Sequence, residues 1–127
     1  MKVLLSIKPE YVERIFNGTK KFEYRKSIFK NKAVEKVVVY STMPVGKIVG
    51  EFSIEVILND DPSAIWMKTQ EHSGVNEAFF NEYFKGRRSA YAIKIANPLL
   101  YDVPIDPKVL DVSFTPPQSF KYLKKDQ

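Results

Sequence analysis

The chain has 127 residues, of which 44% are hydrophobic, 28% charged and 13% aromatic: enough apolar matter for one folded domain and too much for a disordered chain. It has no cysteine and a single histidine, His72, which excludes disulfides, thiolate catalysis, Cys-based zinc sites, iron–sulfur clusters and two-histidine metal motifs. The net charge of +5 is uneven, with a local +6 over residues 1–36, −4 over 37–81 and +3 over 82–127, compatible with one basic face toward an anion such as nucleic acid or with a solvated lysine-rich surface.

The N-terminus, Met1 to Ile7, has neither a long apolar region nor a small-residue cleavage site, so Lys2–Ile7 reads as a buried strand rather than a signal peptide. No run approaches the ~18 apolar residues of a membrane span, and the expected setting is soluble and cytoplasmic. Pro9 stands where a helix takes its first residue and Gly18 where it stops. Tyr11, Val12, Ile15 and Phe16 recur between them at helical spacing, predicting a helix over about 9–17.

Lys20–Lys26 alternates, with Phe22 and Tyr24 on one face and Lys21, Glu23 and Arg25 on the other. Val37–Tyr40 is β-branched and short, a central strand, and Ser41-Thr42-Met43-Pro44-Val45-Gly46 supplies a polar strand end and a turn. Ile48–Leu58 is a long strand with Phe52, Ile54, Val56 and Leu58 of one parity, and Gly50 marks a bulge or bend. Asn59–Pro62 caps a second helix through about Thr69. Ser73 caps a third over roughly 74–85, with Val75, Ala78, Phe79, Tyr83 and Phe84 inward and Gly86 as its stop.

Ser89–Asn97 alternates as another strand. The proline-rich remainder reads as extended segments and turns, whose Leu99, Leu100, Val103, Ile105, Val109, Leu110 and Phe114 call for burial. Residues 1–123 are expected to form one domain, with 124–127 a frayed tail. Short bent strands with inserted helices predict an α+β fold, a small curled sheet or barrel covered by two or three helices.

Chemistry has to come from Lys, Arg, Glu, Asp, Tyr, Ser or Thr, and no acidic cluster or cofactor motif calls for a metal or a cofactor. The densest polar constellation is Gly18-Thr19-Lys20-Lys21-Phe22-Glu23-Tyr24-Arg25. Glu23 and Arg25, two apart on a strand, project from one face about 6–7 Å apart. The carboxylate can there orient a guanidinium that forks onto a phosphate or a base edge, with Lys20 as a nearby point charge; an exposed ion pair among lysines is the plainer alternative. Ser41 and Thr42 at a strand end, and Gln118 and Ser119 after the stiff Pro116-Pro117 step, are further ligand candidates, or merely turn residues. Trp66, Phe79, Phe80, Tyr83 and Phe84 read as core before base-stacking platform, His72 as a loop residue, and Lys85-Gly86-Arg87-Arg88 as a basic turn.

These segments resemble the ASCH (activating signal cointegrator homology) domain family. Its signature, a helix followed by Gly-x-Lys-x-x-Glu-x-Arg, is met by Gly18, Lys20, Glu23 and Arg25, and Val39–Pro44, Ile48–Phe52, Tyr91-Ala92-Ile93 and Pro116–Phe120 match later elements of its small stand-alone members. The resemblance implies a PUA-like β-barrel with a cleft at its mouth beside the first helix, and binding of RNA, other nucleic acid or a nucleotide, in translation or transcription settings. It also implies an alternative, since one branch hydrolyses the amide of N4-acetylcytidine with a Lys, a Thr and a Glu, and another cuts RNA. Lys20 matches the lysine of the hydrolase branch, Glu51 or Glu55 its glutamate, and the place of its threonine falls on Glu23. Lys20, Glu23 and Glu51 are therefore the catalytic candidates; without the threonine the amidohydrolase activity is not carried over, and Ser41 or Thr42 is the remaining hydroxyl.

Overall fold

Apolar side chains bury both faces of the first strand, β1 (Lys2–Ile7), with Val3, Leu5 and Ile7 on one side and Leu4 on the other, as a strand covered on both faces requires. The chain continues through α1 (Pro9–Phe16), β2 (Phe22–Arg25), β3 (Lys36–Ser41), β4 (Lys47–Asp60), α2 (Pro62–Thr69), a 3₁₀ turn at Gln70–His72, α3 (Glu77–Tyr83), β5 (Ala90–Ile105), α4 (Pro107–Leu110) and β6 (Phe120–Tyr122). The computed structural model describes residues 1–123, and the tail expected to fray, 124–127, lies outside the described residues. No helix among the described residues is long and apolar enough to cross a membrane.

Six strands form one sheet in the order β2-β5-β4-β3-β1-β6. β1 and β3 run parallel, with Leu5 opposite Val39, and the other neighbours are antiparallel. The sheet curls because its two longest strands keep slipping register: β4 and β5 do so between Ile48 and Gly50, Glu51 and Ser53, and Ile54 and Val56. Each extra residue bends its strand and increases the local twist. Gly50 flanks the first slip, as expected, and contact explains the residue type. A Cβ there would lie 2.5 Å from the Leu99 carbonyl oxygen and 2.6 Å from the Phe16 ring of α1. Pro98 falls in the second slip, between Ala96 paired with Ser53 and Leu99 paired with Glu51, where a missing ladder N–H costs nothing.

The product is a curled, half-closed barrel of the expected α+β class, with four helices; the one-turn α4 was not anticipated. α1 packs Val12 and Ile15 into a core with Leu5, Val37, Val39, Phe52 and Ile93. A second cluster gathers Phe22, Tyr24, Ile65, Phe80 and Phe84 under α2 and α3. Leu4, Val38, Tyr40 and Ile48 form a third on the opposite sheet face, with Phe114 and Ile105 packed on it.

Four expectations are corrected. The single parity of β4 breaks at its last bulge, so Ile57 joins the first cluster, Leu58 the second, and Val56 is exposed. α3 starts at Glu77, capped by Asn76, whose side chain accepts the Phe79 N–H, and not at Ser73. Gly74 is the reason: its φ of +69 lies in the left-handed region and cannot open a right-handed helix. The helix phase also differs, with Phe80 and Phe84 buried while Ala78 and Phe79 are exposed. Finally, Ile105 and Phe114 pack as expected, but Leu99, Leu100, Val103, Val109 and Leu110 are exposed, because this half of β5 and α4 has no layer stacked outside it among the described residues.

Candidate functional site

The site begins at the end of α1. Gly18, at φ +87, turns the chain sharply, and the Lys20 N–H then donates back to the Arg14 carbonyl at 2.9 Å. This places Lys20 at the entrance of β2 with its side chain directed inward and only 2% of the residue exposed. Its Nζ donates to the Ser73 carbonyl at 2.8 Å and lies 4.8 Å from the ring centre of Tyr24 and 5.5 Å from that of Tyr11, a cation between aromatic faces. Gly74 lies directly against the lysine stem, where any Cβ would collide with it. Burial pulls the Lys20 pKa down to about 8; the Glu23 carboxylate opposes this, and Arg14 and Arg25 add to it.

Glu23 and Arg25 do share a face, and that face looks inward rather than into bulk water. Glu23 is 7% exposed, and its Oε2 lies 3.1 Å from Arg25 Nη2. The same Nη2 donates to the Ser6 carbonyl at 2.8 Å, and Nη1 to the Ser119 carbonyl at 3.4 Å. Arg25 therefore stitches edge strand β2 to the end of β1 and to the segment before β6, across the open seam of the barrel. Its Nε is buried without a partner among the described residues.

α3 supplies the opposite wall. Phe80 and Phe84 point into the core, while Phe79 is exposed and Tyr83, half-buried, packs on the edge of the second cluster and reaches the cleft. These two rings are nearly parallel, 8° apart in plane with centres 6.2 Å apart, and Tyr11 packs against Phe79 at 5.4 Å. Lys20, Glu23 and Arg25, with Ser6, Lys8 and Tyr11 from β1 and α1 and Phe79, Glu82 and Tyr83 from α3, enclose a cleft of about 280 Å³. That is just below the ~300–1,000 Å³ range of ligand pockets, a size for a small group. Tyr24 closes its floor, with its hydroxyl 2.7 Å from Thr69 Oγ1 and its pKa pushed up to about 12 by burial.

The other candidates lie elsewhere. Ser41 is 1% exposed within the sheet, and Thr42 donates its N–H to the Ile7 carbonyl at 3.0 Å and accepts two turn N–H groups; neither lines the cleft. The hydrolase-type alternative thus finds no hydroxyl where its threonine would stand. Glu51 accepts a hydrogen bond from Tyr101 at 2.8 Å and pairs with Lys2 and Lys36 at 3.5 and 3.3 Å, tying strands together away from the cleft. Glu55 is exposed and paired with Lys94 at 2.8 Å. Gln118 is exposed, and the Ser119 hydroxyl sits 3.4 Å from that of Ser27. The Pro116–Ser119 segment reaches the site through its backbone instead, since the Pro117 carbonyl accepts from Ser6 Oγ at 2.8 Å and that of Ser119 from Arg25. His72, expected in a loop, ends the 3₁₀ turn instead, and its carbonyl accepts the Lys21 N–H. Among the described residues no group of three or more His, Asp and Glu is placed to hold a metal.

Sequence reasoning passed over Tyr11, Ser6 and Glu82, and read Phe79 as core; Tyr83 does pack on the core as expected and lines the cleft as well. The available signal was an excess: four aromatics at 79, 80, 83 and 84 are two i, i+4 stripes, and one helix face can fully bury only one of them.

The ASCH domain family model matches residues 5–99. The ASCH domain-containing ribonuclease of Zymomonas mobilis is 29% identical over 133 residues, which cover 99% of this chain and 86% of that protein. The crystal structure of ASCH from Zymomonas mobilis has a TM-score of 0.92 at 26% identity, covering 98% of this chain and 89% of its own. The N-terminal domain of Staphylothermus marinus McrB shares the fold alone, with a TM-score of 0.62 at 8% identity over 98% of this chain and 89% of its own.

Proposed function

This chain belongs to the ASCH domain family, and from that premise we propose that the cleft beside α1 binds a nucleotide, as one unpaired base of an RNA. The observation that carries the reading is convergence: Lys20, Glu23 and Arg25 meet the aromatic side chains of Tyr11, Phe79 and Tyr83 around a cleft of about 280 Å³. The chemistry of each group fits. Aromatic faces stack on bases of any sequence. The Glu23 carboxylate can only accept, and so takes an exocyclic amino or ring N–H. Lys20 donates to a carbonyl or phosphate oxygen.

Arg25→Ala is a poor test, because it also opens the barrel seam. Phe79 is 36% exposed and can be removed with little loss of core. Phe79→Ala is expected to weaken binding of a short single-stranded RNA by about 1–3 kcal/mol, with a cooperative melt and only a modest fall in melting temperature from the lost ring contacts with Tyr11 and Tyr83, as read by fluorescence anisotropy and thermal denaturation. Unaltered affinity in this variant, or no binding by the native protein in low salt, counts decisively against the reading.

One observation favours a second reading, RNA cleavage in the same cleft. A buried amine with a pKa of about 8 sits near neutrality, where general acid–base groups work best, and the Zymomonas relative is named a ribonuclease. Here Lys20 takes up or releases the proton at the reacting oxygen. Labelled RNA left intact by the native protein between pH 7 and 9, or cut equally well by Lys20→Met, retires it.

A further inference from the structure

The basic turn after α3, Lys85-Gly86-Arg87-Arg88, lies outside the cleft and beside it. The Arg87 N–H donates to the Phe84 carbonyl at 2.9 Å, and Arg87 Nη2 donates to the Lys26 carbonyl at 3.0 Å. These bonds clamp the turn onto the residue that follows Arg25. Lys26 in turn holds its ammonium 4.7 Å over the ring centre of Tyr83, which is a wall of the cleft. Lys26, Lys85, Arg87 and Arg88 are all exposed.

Lys2, Lys36, Lys47, Lys68, Lys94 and Lys121 each lie within ion-pair distance of a carboxylate, whereas none of the four does among the described residues. Other exposed lysines, Lys8, Lys21, Lys30, Lys32 and Lys108, also lack a carboxylate partner there; what sets these four apart is that the Arg87 bonds gather them beside the cleft. Unpaired like charges brought together on a backbone clamp repel one another, and an external anion relieves that. Glu82, the carboxylate on the same helix that lines the cleft, repels phosphate from its part of the wall, and Lys26 over Tyr83 gives the strand a favourable exit on that side.

We infer that Lys26, Lys85 and Arg88, braced by Arg87, form a rail for the sugar–phosphate backbone of a single strand whose base occupies the cleft, so that the ligand is an oligonucleotide rather than a free nucleotide. The inference rests on the base-binding reading of the cleft. A single strand is specified because a cleft this small takes no more than one base, and a paired base would first have to leave its stack.

The test compares a labelled ribonucleoside monophosphate with a labelled hexanucleotide RNA, using the double variant Lys85→Gln/Arg88→Gln, neither residue of which lines the cleft. The native protein is expected to bind the hexanucleotide more tightly. The variant should keep the monophosphate affinity and lose hexanucleotide affinity by more than about tenfold near 50 mM salt, with the log K against log salt slope shallower by about 1.4, at ~0.7 per single-strand phosphate contact. A hexanucleotide that binds the variant as well as the native protein overturns the rail, as does one that binds the native protein no better than the monophosphate. Competition by polyglutamate as strong as by RNA also overturns it, in favour of an acidic protein partner. If the hexanucleotide binds through Lys85 and Arg88 while the monophosphate does not bind at all, the rail stands and the base-binding cleft falls.

Discussion

Lys20 is held by a single carbonyl and two aromatic rings at 2% exposure, so water stabilises its charge far less than in the unfolded chain. Burial is the main cause of the pKa near 8, against an ordinary 10.5. Between these values the folded protein binds fewer protons than the unfolded one, so stability rises with pH across that window, and below pH 8 the full penalty is in force. At 1.36 kcal/mol per unit the gain is on the order of 3 kcal/mol. Lys20→Met lacks this slope. Denaturant titrations at pH 7.5, 8.5 and 9.5 are expected to show the native protein gaining on the variant as pH rises, and parallel courses would refute the assignment. The motif spacing marks Lys20, Glu23 and Arg25 as a group. It does not reveal that Arg25 is also a seam latch, because the carbonyls of Ser6 and Ser119 that it bonds are 19 and 94 positions away.

At the scale of elements, the segment between α2 and α3 shows how a helix start can be subordinate to a site. Ser73 reads locally as a cap, yet its carbonyl receives the Lys20 ammonium and Gly74 folds over the lysine stem. Two glycines separate the costs. Gly86 has φ +78 with open space where a Cβ would be, while Gly74 has φ +69 and Lys20 in that space. Gly86→Ala should cost about 1 kcal/mol, the left-handed penalty alone. Gly74→Ala should cost more and also weaken RNA binding by displacing Lys20, as measured by thermal melts and anisotropy. Equal losses of stability with unchanged binding would show that the turn does not hold the lysine. α1 and α2 were legible because Pro9 and Pro62 sit at their first turns. α3 was legible in existence and not in phase, since two aromatic stripes one residue apart satisfy the same periodicity.

Across the whole molecule, Glu51 shows what the sheet needs to stay closed. From β4 it bonds Lys2 of β1, Lys36 of β3 and Tyr101 of β5. Burial pushes its carboxyl up, but the Tyr101 hydrogen bond and the two lysines outweigh this and hold the pKa below the ordinary carboxylate value. A depressed folded pKa gives stability that is present above the unfolded value, ~4.3, and lost as pH falls through the folded one. Glu51→Gln should therefore destabilise by about 1–2 kcal/mol at pH 7, with the difference closing below about pH 4. A gap that persists in acid would remove the ionic account. The exposed Leu99, Leu100 and Val103 make the same point about scale: hydrophobicity says that a residue gains from burial, and only the layering of the fold says whether anything covers it.

The sequence alone determined the order and kind of most elements, the α+β class, the family likeness and the trio Lys20, Glu23 and Arg25. These follow from periodicity, proline and glycine placement and short spacings, all local along the chain. Which face of β2 meets water, which aromatics of α3 leave the core, that Ser41 and Glu51 stay out of the cleft and that the 85–88 turn lies beside it were decided by tertiary structure. Each depends on where the bulges curl β4 and β5 and on contacts between residues far apart in the chain, and no local pattern encodes them.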